Sequence, residues 1–69
     1  MNWIKDEEDY YHNLDDFCQI NVVYDDDFCG EKKYAVRAHR KSSGCLDLYH
    51  FDTLEEAKLH IRNIMLRFI

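Results

Sequence analysis

Three cysteines and four histidines are the side chains of this 69-residue chain that most readily bind metal ions or act as nucleophiles. They are Cys18, Cys29, Cys45, His12, His39, His50 and His60. Zinc sites recur as close ligand pairs such as Cys-x-x-Cys or His-x-x-x-His, and the sequence contains neither. We therefore expect no zinc site, and the odd number of cysteines indicates reduced thiols.

A calcium site and an enzyme centre are also disfavoured. The segment Asp25-x-Asp27-x-Cys29-Gly30 begins like a calcium-binding loop, but Val36 stands at the twelfth position, where a bidentate Glu is required. Two glycines in the whole chain leave little room for a phosphate-binding loop, and 69 residues can hardly wall a deep cleft. The sequence therefore predicts a non-enzymatic protein with no metal and no cofactor.

Acidic residues are concentrated in the first 31 positions. These hold ten acids and one base, a charge of −9, whereas residues 32–69 hold four acids and eight bases, a charge of +4. Dense acids can occupy the basic groove of a nucleic-acid-binding protein. The predicted partner-binding acidic face consists of Asp6, Glu7, Glu8, Asp9, Asp15, Asp16, Asp25, Asp26 and Asp27. The alternative is a solvated helix face followed by a polar turn.

A row of positive charge follows in the middle of the chain. Lys33, Arg37 and Lys41 alternate outward on a predicted strand and form an alternative, basic face that could follow phosphates. Charged side chains on the open face of a strand are also ordinary. The pI near 5.1 argues against general binding of polyanions, so direct nucleic-acid binding is the second choice.

The first element that must position these charges is predicted to be a helix over about residues 3–17. Its apolar side chains fall within roughly 140° of one another on a helical wheel. They are Trp3, Ile4, Tyr10, Tyr11, Leu14, Phe17 and Cys18. Glu7 is the one misfit, because it lies on the apolar arc. The alternative is an acidic tail up to about Asp9 with a shorter helix after it.

A three-stranded antiparallel meander and a second helix are predicted next. Alternation with a period of two predicts strands at about residues 19–25, 31–41 and 45–51. Thr53 and Glu56 form a capping box that begins a helix over about residues 53–68. The predicted architecture is α+β, a single domain over residues 1–69 with the C-terminal helix packed on one face of the sheet.

Two leucines project from the far side of the predicted C-terminal helix. Leu59 and Leu66 lie about 170° from its apolar stripe, so they cannot contact the same sheet. Either the N-terminal helix covers them, or they form a homodimer contact, or they are ordinary exposed leucines.

Two resemblances follow from this layout. The order helix, three strands, helix resembles double-stranded RNA-binding domains, but residues 53–58 carry two acids and one lysine where that family has a lysine-rich stretch. In size, acidity and layout the chain resembles small phage-encoded inhibitors of the anti-CRISPR kind. That resemblance implies a protein that docks its acidic face on a basic groove of a nucleic-acid-binding protein. The alternatives are a small nucleic-acid-binding or regulatory protein, and a structural homodimer. The start of the chain lacks a signal sequence and no segment is apolar enough for a membrane span, so we expect a cytoplasmic protein with no membrane partner.

Overall fold

Five strands, one 3₁₀ turn and one α-helix form within residues 3–26 and 30–67, which the computed structural model describes. The elements are β1 (Trp3–Lys5), β2 (Tyr11–Asn13), the 3₁₀ turn Leu14–Asp16, β3 (Phe17–Tyr24), β4 (Tyr34–Arg40), β5 (Cys45–Phe51) and α1 (Leu54–Arg67). β1 and β2 form a two-stranded antiparallel sheet, and β3, β4 and β5 form a three-stranded antiparallel sheet in that order. The α+β class is confirmed. The predicted layout is wrong, because residues 3–17 form a hairpin and a 3₁₀ turn instead of a helix.

The N-terminal hairpin is closed by a turn that begins at Asp6. The Asp6 carboxylate accepts hydrogen bonds from the backbone N–H groups of Glu8 and Tyr10, at 2.9 and 3.0 Å. Asp9 adopts a φ of 70°, a left-handed conformation that Asp tolerates better than most residues. Such side-chain to backbone bonds compete with helix formation, so the chain reverses here. The likeness to the layout of double-stranded RNA-binding domains is lost with the first helix.

The core lies between α1 and the three-stranded sheet. Ala57 and Ile64 of α1 pack with buried residues of β4 and β5, and Ile4 of β1 joins the same cluster. The strand residues are Val36, Ala38 and Leu48. The hairpin therefore supplies one of the buried side chains that hold the helix to the sheet.

A β-bulge in β5 links the two sheets. Val36 pairs with Tyr49 whereas Arg37 pairs with Asp47, so Leu48 is an extra residue in β5. Both Leu48 and Tyr49 contact the core as a result. The Leu48 carbonyl accepts a hydrogen bond of 2.9 Å from the Glu7 N–H, which fixes the hairpin turn against the outer edge of β5.

Helix α1 begins where the capping residue places it. The Thr53 hydroxyl accepts a hydrogen bond of 3.2 Å from the Glu56 N–H. Leu59 and Leu66 are 55% and 64% exposed, and the predicted cover by an N-terminal helix is wrong because that segment forms the hairpin. Among the described residues, no helix combines the length and the apolar character needed to cross a bilayer.

Candidate functional site

An ion pair occupies the face of the sheet opposite α1. Arg37 and Asp47 are register partners, and the guanidinium donates two hydrogen bonds to the carboxylate, at 2.7 Å from Nε and 3.2 Å from the second nitrogen. The hydrogen bond to Asp47 raises the pKa of Arg37 above its ordinary value. Because both side chains are half-buried and paired, the positive charge of Arg37 is neutralised within the chain.

The other members of the predicted basic face lie apart from Arg37. The Lys33 ammonium donates to the Asp26 carbonyl at 3.5 Å, beside the acidic turn. Lys41 is exposed just after β4, and its N–H donates to the Asp16 carbonyl at 2.9 Å. The three cations are therefore not a continuous row of available charge.

Glu7 and His50 form the contact that joins the hairpin turn to β5. The Glu7 carboxylate accepts from the His50 backbone N–H at 2.9 Å, and its second oxygen lies 2.8 Å from Nδ1 of His50. This outward-facing N–H belongs to an edge strand, so Glu7 satisfies a donor that β4 cannot reach. Glu7 thus stabilises the fold, although the sequence placed it on the partner-binding face.

One cluster has the composition of a cation site. Donor atoms of Asp25, Asp47 and His50 lie within 4.8 Å of one another, and all three residues are half-buried. Two carboxylates and an imidazole are ligands that several divalent metals accept. However, the Arg37 guanidinium already holds Asp47, and its positive charge opposes a second cation beside it. The arrangement is that of an ion-pair cluster whose members come from β4, β5 and the segment that follows β3.

This cluster was not predicted from the sequence. Asp47 points outward in the predicted alternation, which was a usable signal, but His50 reaches the same face only in the register that follows the Leu48 bulge. Comparisons with protein-family models, with curated proteins and with solved structures found no match for this chain.

Asp6 is removed from the predicted acidic face by burial. The residue is only 6% exposed, and Nε2 of His12 lies 2.7 Å from the second oxygen of its carboxylate. Burial alone raises the pKa of Asp6, but hydrogen bonds from His12, Tyr10 and Glu8 outweigh burial and hold the pKa below its ordinary value. The carboxylate is engaged inside the hairpin.

Four further acids of the predicted face lie away from the turn that follows β3. Glu8 and Asp9 are exposed in the hairpin turn, where Asp9 lies 3.4 Å from the Lys5 ammonium. This contact raises the pKa of Lys5. Asp15 and Asp16 line a cleft of about 390 Å³ whose wall also contains two bases, Arg40 and Lys41. Charge is therefore mixed at that end of the sheet.

The remaining acids gather at the opposite end of the sheet. Tyr24, Tyr34 and Phe51 are register partners, so the segments that flank them meet there. We call this region the acidic end. It comprises Asp25, Asp26, Glu31, Asp52, Glu55 and Glu56. Asp27, which the sequence also assigned to the acidic face, lies outside the described residues.

The acidic end contains residues that the sequence analysis did not single out as a binding surface. Glu31 and Asp52 line one cleft of about 390 Å³ together with Glu7, His50 and one base, Lys32. Glu55 and Glu56 follow in the first turn of α1. An antiparallel meander with a helix after it brings residues 25–26, 30–31 and 52–56 to the same end, and this topology was the signal that could have found them.

We expect Glu7→Ala to lower the free energy of unfolding by about 1–2 kcal/mol, because the His50 N–H loses its acceptor at the edge of β5. Urea denaturation measures the loss, and faster exchange of the His50 amide locates it. Glu8→Ala is the matched control, since its side chain is exposed and the change should cost less than about 0.5 kcal/mol. Equal losses from both variants would contradict a stabilising role for Glu7.

Proposed function

We propose that this protein is a small non-enzymatic protein-binding module that docks its acidic end on a basic surface of a larger protein. The observation that carries the proposal is the gathering of exposed carboxylates from three separate segments of the chain at one end of the sheet. The exposed ones are Asp26, Glu31, Asp52, Glu55 and Glu56. Asp26 and Glu31 lie in the connection between β3 and β4. Asp52 directly follows β5, and Glu55 and Glu56 lie in the first turn of α1.

A basic groove that normally holds nucleic acid is the partner surface with the matching chemistry. Such a groove attracts fixed carboxylates over several ångströms, which speeds association and makes it sensitive to salt. This mode of action is that of a nucleic-acid mimic, as the resemblance to cytoplasmic phage or mobile-element inhibitors of the anti-CRISPR kind implies. This mode of action is supported by the negative charge of the acidic end and by its placement at one end of the sheet.

The test compares two variants of equal net charge. The first neutralises the acidic end by Asp26→Asn, Asp52→Asn, Glu55→Gln and Glu56→Gln. The second, as a matched control, neutralises four exposed acids elsewhere by Glu8→Gln, Asp9→Asn, Asp15→Asn and Asp16→Asn. We expect partners captured from the source cells by the unaltered protein to be lost by the first variant and kept by the second.

The same experiment is repeated at different salt concentrations. Capture by the unaltered protein should fall at least about tenfold between 0.05 and 0.5 M salt, since several charge pairs form at the interface. Capture that ignores salt, or that both variants retain equally, would contradict the proposal. Loss in the control variant alone would move the binding surface to the hairpin and the 3₁₀ turn.

Nucleic-acid binding through Lys33, Arg37 and Lys41 has less support. Arg37 is held by Asp47 in a two-point ion pair, so a phosphate would have to break that pair to reach it. A complex with RNA or DNA in the capture experiment would favour this alternative.

A further inference from the structure

The outer edge of β3 has no strand beside it among the described residues. The Asp25 N–H donates to the Lys33 carbonyl at 2.7 Å, which sets the alternation along β3. Residues two and four positions before Asp25 also direct their backbone groups toward β4. The N–H and C=O groups of Ile20, Val22 and Tyr24 therefore point outward, where another strand can pair with them.

The sequence of β3 lacks the features that usually prevent strand addition. It reads Phe-Cys-Gln-Ile-Asn-Val-Val-Tyr and contains no charged residue and no proline, in a chain of which one third is charged. A register shift at Cys18 disturbs only the start of the strand. The other edge of the sheet, in contrast, is covered by Glu7. One edge is thus protected and the other is open.

An apolar groove of about 460 Å³ runs beside this open edge. Ile20 of β3 and Ile61 and Met65 of α1 contribute to its walls. Tyr24, at the far end of the strand, is 58% exposed, and its side chain lies on the same face of the sheet as Ile20 because the two are four residues apart. The strand therefore carries both a groove and an exposed aromatic ring.

We propose that two copies of this chain pair antiparallel through β3, about a twofold axis at Val22, to form one six-stranded sheet. In this register Tyr24 of each copy lies opposite Ile20 of the other, so each ring reaches the other copy's groove. The hydrogen-bonding groups of Ile20, Val22 and Tyr24 are satisfied at the same time. A twofold pairing uses the same patch on both copies, and this patch supplies both halves of the contact.

Charge favours this orientation and this occupant. Because the strands run in opposite directions, the acidic ends of the two copies lie at opposite corners. The acidic end of each copy lies beside the other copy's opposite sheet end. That end carries two acids and two bases, Asp15, Asp16, Arg40 and Lys41, so its charges balance. β3 itself is uncharged, so two molecules of net charge −5 can approach there without like charges opposite each other.

Sedimentation velocity over a range of concentrations tests the dimer. We expect a concentration-dependent dimer, and we expect Tyr24→Lys to raise its dissociation constant about tenfold or more, since the ring no longer fills the groove and a charge enters the edge. The matched control is Tyr10→Lys, because Tyr10 is a similarly exposed tyrosine, at 64%, in the hairpin. It should leave the dissociation constant within about twofold.

Three results would overturn the proposal. One is a monomer at every concentration up to about 1 mM. Another is a dimer whose dissociation constant is unchanged by Tyr24→Lys but which is lost in the double variant Leu59→Lys, Leu66→Lys. That result would place the contact on α1. The third is a monomer whose β3 edge binds an extended peptide of another protein. Circular dichroism of each variant shows that loss of the dimer is not loss of the fold.

Cross-linking tests the register. In a background of Cys18→Ser, Cys29→Ser and Cys45→Ser, Val22→Cys should form an intermolecular disulfide with a mild oxidant, since the two Cα atoms face each other at about 5.5 Å. Val23→Cys should not, because its two copies are offset along the strands by two residues and exceed the roughly 7 Å limit. A bridge at 23 without one at 22 would overturn the register.

Discussion

Replacing Asp6 with alanine should lower the free energy of unfolding by about 3 kcal/mol, because three donors in the hairpin lose a charged acceptor together. A domain of this size has a net stability of only about 3–5 kcal/mol, so the variant should be partly unfolded at 25 °C. Urea denaturation followed by Trp3 fluorescence reports on the hairpin, since Trp3 is the sole tryptophan and lies in β1. Far-ultraviolet circular dichroism reports on α1 in the same samples.

The pH dependence of stability separates the Asp6 charge from its shape. The folded pKa of Asp6 lies below the ordinary value of 3.8, so its contribution is complete above about pH 4 and is lost as pH falls through the folded pKa. Asp6→Asn keeps the size of the side chain but cannot ionise, and it should flatten this acid decline. Asp15→Asn, at an exposed position, should keep it. Identical acid slopes for the unaltered protein and Asp6→Asn would contradict the role assigned to the carboxylate.

The same carboxylate explains why the first helix was predicted and does not form. The spacing of Ile4, Tyr11 and Leu14 fits a helical stripe, but it fits equally well a short hairpin followed by a turn. A helical pattern counts side chains on one face and ignores a carboxylate that can bind N–H groups two and four positions ahead. The contact between Asp6 and His12 exists only once the hairpin has closed, so no local pattern reveals it. Glu7, the charged residue on the apolar arc of the helical wheel, was the one sign in the sequence against this helix.

The C-terminal half differs because its signals are local. The strand Cys45–Phe51 lies where alternation predicted residues 45–51, and α1 (Leu54–Arg67) lies where the capping box at Thr53 and the apolar stripe predicted a helix over about 53–68. Periodicity and capping act within a few residues, so they can be seen in a sequence. The order of β3, β4 and β5 in the sheet is their order along the chain.

The candidate site depends on contacts that are distant in the chain. Arg37 meets Asp47 in the register that the turn between β4 and β5 sets, and the Leu48 bulge shifts the register after that pair, which brings His50 to the same face. The acidic end joins residues 25–26 and 30–31 to residues 52–56 through the topology of the sheet. Sequence counting showed that acids outnumber bases before residue 32, but it assigned Asp6 and Glu7 to the surface that binds a partner, whereas the fold uses both carboxylates internally. Burial of a charge is decided by tertiary partners, which a one-dimensional charge count does not contain.

Leu48→Ala should have an effect as large as that of Asp6→Ala. Leu48 is fully buried, and removing its branched end leaves a cavity between α1 and the sheet, with an expected loss of about 3 kcal/mol. The loss should reach the hairpin as well, since the Leu48 carbonyl holds the Glu7 N–H and a loosened bulge moves that acceptor. Urea denaturation with Trp3 fluorescence and circular dichroism measures both parts.

Leu59→Ala is the matched control for Leu48→Ala, because it removes the same atoms from a side chain that is 55% exposed on the outer face of α1. It should change the free energy of unfolding by less than about 0.5 kcal/mol, since little apolar surface is uncovered and alanine is a good helix former. A loss at Leu59 that equals the loss at Leu48 would mean that a second copy of the chain buries the outer face of α1. The two losses, measured at low and at high protein concentration, therefore separate the core described here from an interface through α1: a core residue keeps its cost on dilution, whereas an interface residue loses it.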